Sequence, residues 1–498
     1  MSARAAAWAV VAVVGCSVAP AGCALGPDYK RPSVPMTAAF RDQALQQASS
    51  FADLPWWEVF RDPALAALLR EALANNLDLV DATERIEVAR QNARIRTDQL
   101  LPSLSVSAAP SYQQIFSPFS ALAPAGIPGI PSGNTRYATY ILGGQLSWEI
   151  DLWGRLRRLR QAALADFLGA QENARGVIVS IVGEVAQGYF NLVALDLQLD
   201  TARRTAESRR ETLALFAERE RGGVGDRLQT ASEEANLADA LATVPSLQRQ
   251  IVQQENQLAL LAGRPPGPIA RTTNFLSRSP PPVDLPLGVP SALLERRPDV
   301  RLAEARVVSA NALVGAAFAA IFPTLTFNGS GGVESTSLAT LFTTGALTFG
   351  VSLVVGWLLP LLNGAQTVHA WRGQKANWRA VVAEYRRVVL GALVDVADAT
   401  AAMRTLREQR AELENAVRAR IETVRLATDR YRAGVSSYLD VVQAEQNLFP
   451  TQLQLAQTIG AQFVATAQLY RALGGGWIVP SQPTPAAGRL AGPSLGAR

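Results

Sequence analysis

An internal duplication is the feature that most constrains the fold of this chain. The motif Arg221-Gly222-Gly223-Val224 recurs as Arg432-Ala433-Gly434-Val435, an offset of 211 residues (434 − 223). Three further pairs share this offset: Leu228 with Leu439, Glu234 with Glu445, and Asn236 with Asn447. Leu101-Pro102-Ser103-Leu104 recurs as Phe322-Pro323-Thr324-Leu325 at an offset of 221 residues (323 − 102), and Ser117–Gly133 can hold the extra residues. Repeated matches at constant offsets predict two copies of one structural unit.

Each copy is predicted to contain a helix, two strands and two long helices. The first helices, Asn76–Leu100 and Pro298–Ile321, end just before a proline. Polar and apolar residues then alternate with period two, which predicts strands with one small polar face. The alternating segments are Ser103–Ala108, Gly143–Ile150, Thr324–Gly331 and Leu347–Leu353.

The remaining segments of each copy are typical of long paired helices. Arg155–Glu220 and Asn363–Arg432 contain no proline, and Asp226–Ala262 and Ser436–Leu473 return after the glycine turns. Apolar residues repeat every seven positions, which predicts coiled-coil packing; they are Val185, Leu192 and Leu199, and later Val441, Leu448 and Leu455. Pro245 and Pro450 are predicted to bend the returning helices locally.

One alternative concerns the last strand. No charged residue lies between Ser335 and Val368, so length alone also allows a membrane helix there. The corresponding segment of the first copy, Tyr137–Asp151, carries Glu149 and Asp151, and the glycine and threonine content favours a strand.

Composition argues against catalysis, metal binding and nucleic-acid binding. The two cysteines, Cys16 and Cys23, both lie near the N-terminus, and His369 is the only histidine. The rest of the chain therefore has no cysteine-based site, and a lone histidine is usually structural, so we expect no catalytic residues, no metal and no cofactor. The net charge of +5 is dispersed, without a basic block for nucleic acid.

The N-terminus has the pattern of an export signal for a lipoprotein. A short apolar run, Ala5–Val14, precedes Gly15-Cys16 and Gly22-Cys23, and it is too short to span a membrane. A cysteine after a small residue at the cleavage point indicates acylation. Cys16 fits the local cleavage pattern better, whereas the stretch Gly22–Pro32, which includes Cys23, resembles the start of many lipoproteins of one family, so Cys23 is favoured. We expect Ala24–Ser50 to form an extended tether with little packing.

Four amphipathic strands constrain the oligomeric state. The smallest membrane barrels have about eight strands, and open strand edges are prohibitive in lipid. Two chains would give a tight barrel filled by side chains, and three would enclose a polar, water-filled lumen. The Ser, Thr, Gly, Asn, Gln and Glu of the polar face suit water more than a packed core, and they favour three chains.

Several motifs resemble the lipoprotein branch of the TolC-like outer-membrane efflux proteins. They are Trp56-Trp57-Glu58, Ala74-Asn75-Asn76-Leu77, Asp151-Leu152-Trp153-Gly154-Arg155, the two Arg-x-Gly-Val turns and Ala472–Trp477. The resemblance covers residues 23–480. It implies an α+β membrane protein, internally duplicated, with four transmembrane β-strands per chain in a trimeric twelve-stranded barrel and long coiled-coil helices in a periplasmic α-barrel.

The implied function is a passive duct in a tripartite efflux pump, anchored in the bacterial outer membrane by lipid on Cys23. Its implied partners are two further copies of the chain, a periplasmic adaptor protein and an inner-membrane transporter of the proton-driven type. The resemblance places adaptor docking near Gly223 and Gly434, a gate ring at Leu439, and an acidic ring one turn later. That later position is Gln443 here, so Asp440 is the candidate acid.

Two other functions stay open at this point. A TolC-like channel for type I protein secretion would have the same fold and differ only in its partners. A periplasmic coiled-coil scaffold without a pore would not need four strands with polar inner faces.

The predicted organisation follows from these assignments. It comprises a signal peptide (1–22), a lipid anchor with an extended segment (23–62), a first repeat (63–262), a linker (263–290), a second repeat (291–473) and a C-terminal tail (474–498).

Overall fold

The structure is a computed structural model, and it describes residues 24–35, 59–60, 62–115, 135–272, 276, 290–356 and 364–475. The elements of the first half are α1 (Pro63–Asn75), α2 (Leu77–Asp98), β1 (Ser103–Ile115), β2 (Thr135–Ile150), α3 (Arg155–Arg221) and α4 (Arg227–Leu261). Those of the second half are α5 (Leu293–Arg296), α6 (Pro298–Ala319), β3 (Thr324–Ser335), β4 (Leu347–Gly356), α7 (Gly364–Arg432) and α8 (Tyr438–Ala472). Each half therefore has a helical start, two strands and two long helices, in the order that the sequence predicts.

The longest helices are α3 and α7, with 67 and 69 residues. At a rise of about 1.5 Å per residue, each extends about 100 Å. Pro245 and Pro450 lie inside α4 and α8, and both helices continue through them. The local bends expected at these prolines stay a prediction.

Helix packing follows the predicted heptad most closely in α3. Val185, Leu192 and Leu199 are all buried, as a core-facing row should be. In α8, Val441 is buried, whereas Leu448 and Leu455 are only half-buried. The heptad row of α8 is therefore only partly covered by the rest of its own chain.

The four strands form one antiparallel sheet in the order β1-β2-β3-β4, which leaves one edge of β1 and one edge of β4 unpaired within it. The register aligns a row of small polar residues across all four strands, namely Ser103, Ser147, Asn328 and Ser352. The Ser147 hydroxyl donates to Asn328 Oδ1 at 2.9 Å.

The opposite face of the sheet is apolar and exposed. It includes Leu104, Val106, Phe349, Val351 and Leu353. Within the uncharged segment between Ser335 and Val368, the described residues form two short 3₁₀ turns, β4 and the start of α7, so the alternative of a membrane helix across this segment is wrong.

Two described helices, α3 and α6, are long and apolar enough to cross a membrane by length and composition alone. Most of each apolar window is buried inside the chain, as in the core helices of many proteins.

The chain divides into two compact units that do not follow the sequence repeats. One takes in Glu87–Gly169, Glu304–Glu384 and the described N-terminal residues from Ala24 to Pro32, so it contains the sheet. The other is built from the described residues of Ser33–Ile86 and Ala170–Ala303 and from Tyr385 to Gly475. Each unit draws segments from both repeats, and the predicted domain boundaries stay a prediction.

The core of the second unit is aromatic. Tyr189, Phe190 and Tyr385 are almost fully buried. The Phe190 ring lies 5.4 Å from the Phe60 ring and 5.1 Å from the Phe463 ring, centroid to centroid. The Tyr189 hydroxyl donates to Asp62 Oδ2 at 2.7 Å, and Asp62 Oδ1 accepts from the Ala64 backbone N–H at 2.8 Å to cap α1.

The N-terminal residues differ from the predicted tether. Ala24–Pro35 has no helix or strand and none of its residues is buried, as expected of an extended segment, but specific hydrogen bonds dock it on the rest of its unit. The Arg158 guanidinium donates to the carbonyl oxygens of Ala24, Leu25 and Gly26 at 3.1–3.3 Å. The physical reason is that these carbonyls are the acceptors of a buried cation. Residues 36–50 of the predicted tether lie outside the described residues.

Further contacts hold the same segment against α6. The Glu304 carboxylate accepts from Tyr29 at 2.8 Å and from Arg31 at 2.7 Å. Gly26 has a φ of 107°, and a Cβ added there would lie 2.4 Å from the Cα of Gly315. This close approach of two backbones requires glycine.

Candidate gate and docking turns

The two turns between the long helices have the same hydrogen-bonded geometry. Gly223 and Gly434 have φ values of 72° and 71°, so both adopt the left-handed conformation that ends a helix. After α3, the Val224 N–H donates to the Arg219 carbonyl and the Gly223 N–H to the Glu220 carbonyl, both at 3.0 Å. This is a Schellman motif, which satisfies the last carbonyls of the helix.

The second turn repeats this arrangement after α7. The Val435 N–H donates to the Arg430 carbonyl at 3.0 Å, and the Gly434 N–H donates to the Tyr431 carbonyl at 2.9 Å. An added Cβ at Gly434 would meet nothing within 4 Å. Glycine is therefore required there by its backbone angle and not by crowding.

The helices that follow the turns begin differently. The Asp226 carboxylate accepts from the Leu228 N–H at 3.0 Å and caps α4. Ser437, at the equivalent place before α8, makes no such side-chain bond. The start of α8 therefore lacks one of the contacts that fix the start of α4.

The predicted gate residues share the outward side of the first turns of α8. Leu439 is 67% exposed, and Asp440 and Gln443 are also exposed. Leu439 and Gln443 are four residues apart, so they lie on one face, and Asp440 is about 100° away around the helix. The structure thus brings the three together on a surface that the chain itself does not cover.

Exposed apolar side chains occur in equivalent pairs at the two turns. Val224 and Leu228 flank the first turn, and Val435 and Leu439 flank the second; all four are exposed. Large apolar groups that a chain leaves uncovered at matching positions are typical of contact surfaces.

An aromatic cluster behind the second turn was missed by the sequence reasoning. The Tyr438 ring lies 4.3 Å from the Phe216 ring and 5.1 Å from the Tyr431 ring. The Arg219 guanidinium donates to the Tyr431 hydroxyl at 3.1 Å, and that hydroxyl donates to Gln229 Oε1 at 3.3 Å. No periodicity in the sequence signals this cluster, because Tyr431 and Tyr438 lie on different helices and the turn at Gly434 interrupts the helical repeat.

The remaining predicted site residue is the acylated cysteine. Cys23, the favoured acylation site, lies outside the described residues, as does Cys16. Among the described residues, no group of three or more His, Cys, Asp or Glu side chains could hold a metal ion.

The sequence profile of the outer membrane efflux protein family matches residues 68–264 and 289–475, which are the two predicted repeats almost in full. The chain belongs to this family. This outer membrane efflux protein is 33% identical over 486 residues to the toluene efflux pump outer membrane protein TtgF of Pseudomonas putida, a match that covers 94% of this chain and 98% of TtgF. It is 31% identical over 459 residues to the outer membrane protein OprJ of Pseudomonas aeruginosa, with coverage of 91% and 93%.

Solved structures resemble this efflux protein over the same extent. The outer-membrane channel OprN superposes with a TM-score of 0.81 at 28% identity, covering 91% of this chain and all of OprN. The open state of the Neisseria gonorrhoeae MtrE outer membrane channel superposes with a TM-score of 0.78 at 30% identity, covering 91% of this chain and 99% of MtrE. Both neighbours are outer-membrane channels with mostly helical chains and a small sheet.

Proposed function

We propose that this protein is the outer-membrane channel of a tripartite efflux pump and exports small molecules through a passive trimeric duct. The observation that carries the proposal is the small polar face that runs unbroken across all four strands, opposite an exposed apolar face. Such a sheet has the two surfaces that a barrel needs, one for water and one for lipid.

Three chains can pair the open strand edges of this sheet and still enclose a lumen, which one or two chains cannot do. A four-stranded sheet leaves two edges unpaired, and each unpaired backbone group costs several kcal/mol in lipid, so closure has to come from other copies. Twelve strands enclose a polar lumen, whereas about eight leave room only for side chains. Glycine, serine and threonine on the inner face suit a lumen lined by water.

The long helices supply the periplasmic part of the duct. At about 100 Å, α3 and α7 are far longer than the roughly 30 Å hydrocarbon core of a bilayer. We place a periplasmic adaptor protein at the turns of Gly223 and Gly434, with an inner-membrane transporter of the proton-driven type beyond it. Relatives that are named for toluene, solvent and antibiotic efflux support organic small molecules as cargo.

The gate is proposed at the start of α8. Three copies of Leu439 form an apolar constriction that excludes water, and Asp440 beside it favours cations. Gln443 stands one turn further on and adds a polar, uncharged ring. In this scheme the protein catalyses nothing, and lipid on Cys23, with Cys16 as the alternative, anchors it to the outer membrane.

Ion conductance tests the proposal directly. The purified full-length protein, reconstituted in planar bilayers, is expected to give discrete channels and a trimeric mass in detergent. A scaffold without a pore would give the mass but no channels, and that result would contradict the proposal. In cells, deletion should raise the accumulation of small organic solutes; loss of a secreted protein with unchanged accumulation would identify protein secretion instead.

A further inference from the structure

A buried group of charged side chains joins the two helical hairpins, α3–α4 and α7–α8. Arg209 of α3 forms an ion pair with Glu445 of α8 through Nη1. The same Nη1 lies 3.6 Å from Oε2 of Glu233, which belongs to α4. One guanidinium therefore serves two carboxylates that come from different hairpins.

The charges in this group do not balance when both carboxylates are ionised. Glu233 is 0% exposed, and the side chain of Arg209 is also buried. One positive charge against two negative ones leaves a net charge of −1 inside the protein. An uncompensated buried charge is costly, and like charges around a shared site favour the uptake of one proton.

Unused hydrogen-bonding capacity lies at the same place. Oε2 of Glu233 and the hydroxyl of Tyr438 are both buried and have no hydrogen-bond partner in the described part of the chain. Burial raises the pKa of Tyr438, and the nearby Glu233 charge adds to the rise, so its hydroxyl stays protonated. The Tyr438 hydroxyl can therefore donate a hydrogen bond to Glu233, but it cannot accept a proton from it.

Glu445 is the carboxylate best placed to take up the proton. Burial raises its pKa, Arg209 opposes the rise, and Glu233 adds to it. Its side chain keeps 20% exposure, and it lines an open groove of about 510 Å³ between α3 and α8. Water can therefore reach Glu445, whereas Glu233 is sealed.

Other polar groups around the pair do not supply the missing positive charge. Arg204 lines the same groove but is paired with Asp200 on its own helix. On α7, Arg420 donates to the carbonyl of Asn447. Tyr431, also on α7, is bonded to Arg219 and Gln229, which lie closer to the turns.

Amide hydrogen bonds flank the charged group. Within α4 the Asn236 amide donates to Glu233 Oε1 at 2.9 Å, and the Gln446 amide of α8 donates to Asn236 Oδ1 at 3.1 Å. The second bond joins two neutral amides and holds α8 against α4 at any pH, so the excess charge is the component that changes.

We propose that Arg209, Glu233 and Glu445 form a proton-binding clamp that holds the start of α8 against α3 and α4. The clamp is tight when one carboxylate is protonated, and it loosens when both are ionised. Glu445 follows Leu439 by less than two helical turns, and Tyr438 packs on Phe216 of α3. Loosening therefore allows the start of α8, which carries Leu439, to move away from α3 and α4. The gating part of this inference rests on the proposed channel function.

The direction of the pH effect follows from the raised pKa of Glu445. A carboxylate with a raised pKa in the folded state stabilises that state at acidic pH, and the contribution is lost as pH rises through the folded pKa. The clamp is thus closed at acidic pH. It is released at a pH above the usual pKa range of a glutamate side chain. Each unit of pKa difference between clamped and released states changes the opening equilibrium about tenfold.

The experiment compares the wild type with Glu445→Gln and Glu234→Gln in the full-length trimer. The Glu445→Gln substitution keeps the shape of the glutamate but removes the excess charge. Glu234→Gln is the matched control, because Glu234 is the repeat counterpart of Glu445 and lies exposed beside Arg227. Thermal unfolding and single-channel open probability are measured at pH 5 and pH 8. The wild type and Glu234→Gln should be less heat-stable and more often open at pH 8, by several-fold in open probability. Glu445→Gln should show neither pH effect and stay mostly closed.

The two readouts separate the clamp from the channel. If Glu445→Gln keeps the pH dependence of unfolding seen in the wild type, the shared proton is wrong. If that dependence disappears but the open probability of the wild type is equal at both pH values, the clamp exists without control of the gate, and the proposal as stated fails. If no variant conducts at all, the channel function fails, while unfolding still tests the proton site. Glu233→Gln, which removes the other carboxylate, should reproduce Glu445→Gln.

Discussion

At the scale of single residues, Leu439 is a large apolar side chain that its own chain leaves exposed beside the proposed gate. It stands between buried Tyr438 and exposed Asp440 at the start of α8, and it is 67% exposed. Full burial of a leucine is worth about 1.5–3 kcal/mol, a gain that this side chain does not obtain from its own chain. Contact with the same residue in other copies would provide it.

Leu439→Ala is expected to raise single-channel conductance, because the apolar ring becomes wider and less able to exclude water. Cells that carry the variant should become sensitive to large antibiotics such as vancomycin. The matched control is Leu228→Ala, which removes the repeat-equivalent exposed leucine at the first turn. Unchanged conductance of Leu439→Ala in a correctly assembled trimer would place the constriction elsewhere.

At the scale of elements, the two glycine turns determine where the hairpins end. In each turn a left-handed glycine allows the last carbonyls of the helix to be hydrogen-bonded. Gly434, in the second turn, has open space where a Cβ would lie. A β-branched residue at a positive φ costs about 1–3 kcal/mol in backbone strain. The substitution therefore acts on the shape of the turn without creating a clash.

Gly434→Val is expected to lower drug resistance without lowering the yield of trimer, because the turn carries the proposed adaptor contact and lies outside the core. Resistance is measured as minimal inhibitory concentrations, and trimer yield by native mass spectrometry. Gly222→Ala is the matched control, since the second repeat has Ala433 at that position and no positive φ is required there. Resistance equal to the wild type in Gly434→Val would argue against docking at this turn.

At the scale of the whole molecule, the docked N-terminal segment limits where a lipid anchor can sit. Ala24 is held by Arg158, so lipid on Cys23 would leave the chain one residue before a fixed point. Lipid on Cys16 would add seven residues, a reach of about 25 Å for an extended chain. The first arrangement ties the anchor to the unit that contains the sheet.

We expect the mature protein to begin at Cys23 with lipid attached, and intact-mass analysis of the purified protein measures this. Cys23→Ser should abolish the lipid mass, while Cys16→Ser should leave it unchanged. A mature N-terminus at Cys16, or a mass without lipid in the wild type, would contradict the assignment.

Local features of the sequence were sufficient for the elements and turns. The repeat offset, the change of period from helix to strand, and the glycines at Gly223 and Gly434 predicted structures that depend on residues near one another in the chain. A heptad or an alternating pattern acts through neighbours a few residues away, and a left-handed glycine acts through its own φ angle. These could be derived without knowing how distant segments meet.

The tertiary structure alone decided the contacts between distant segments. Arg209 meets Glu445 across 236 residues, and Arg158 binds the carbonyl of Ala24 across 134. No period or spacing in the sequence selects these partners, because charged residues are common on every helix and only packing determines which ones are buried together. The sequence thus determined the repeated elements, while the fold decided that the N-terminal segment is docked and that two glutamates share one arginine.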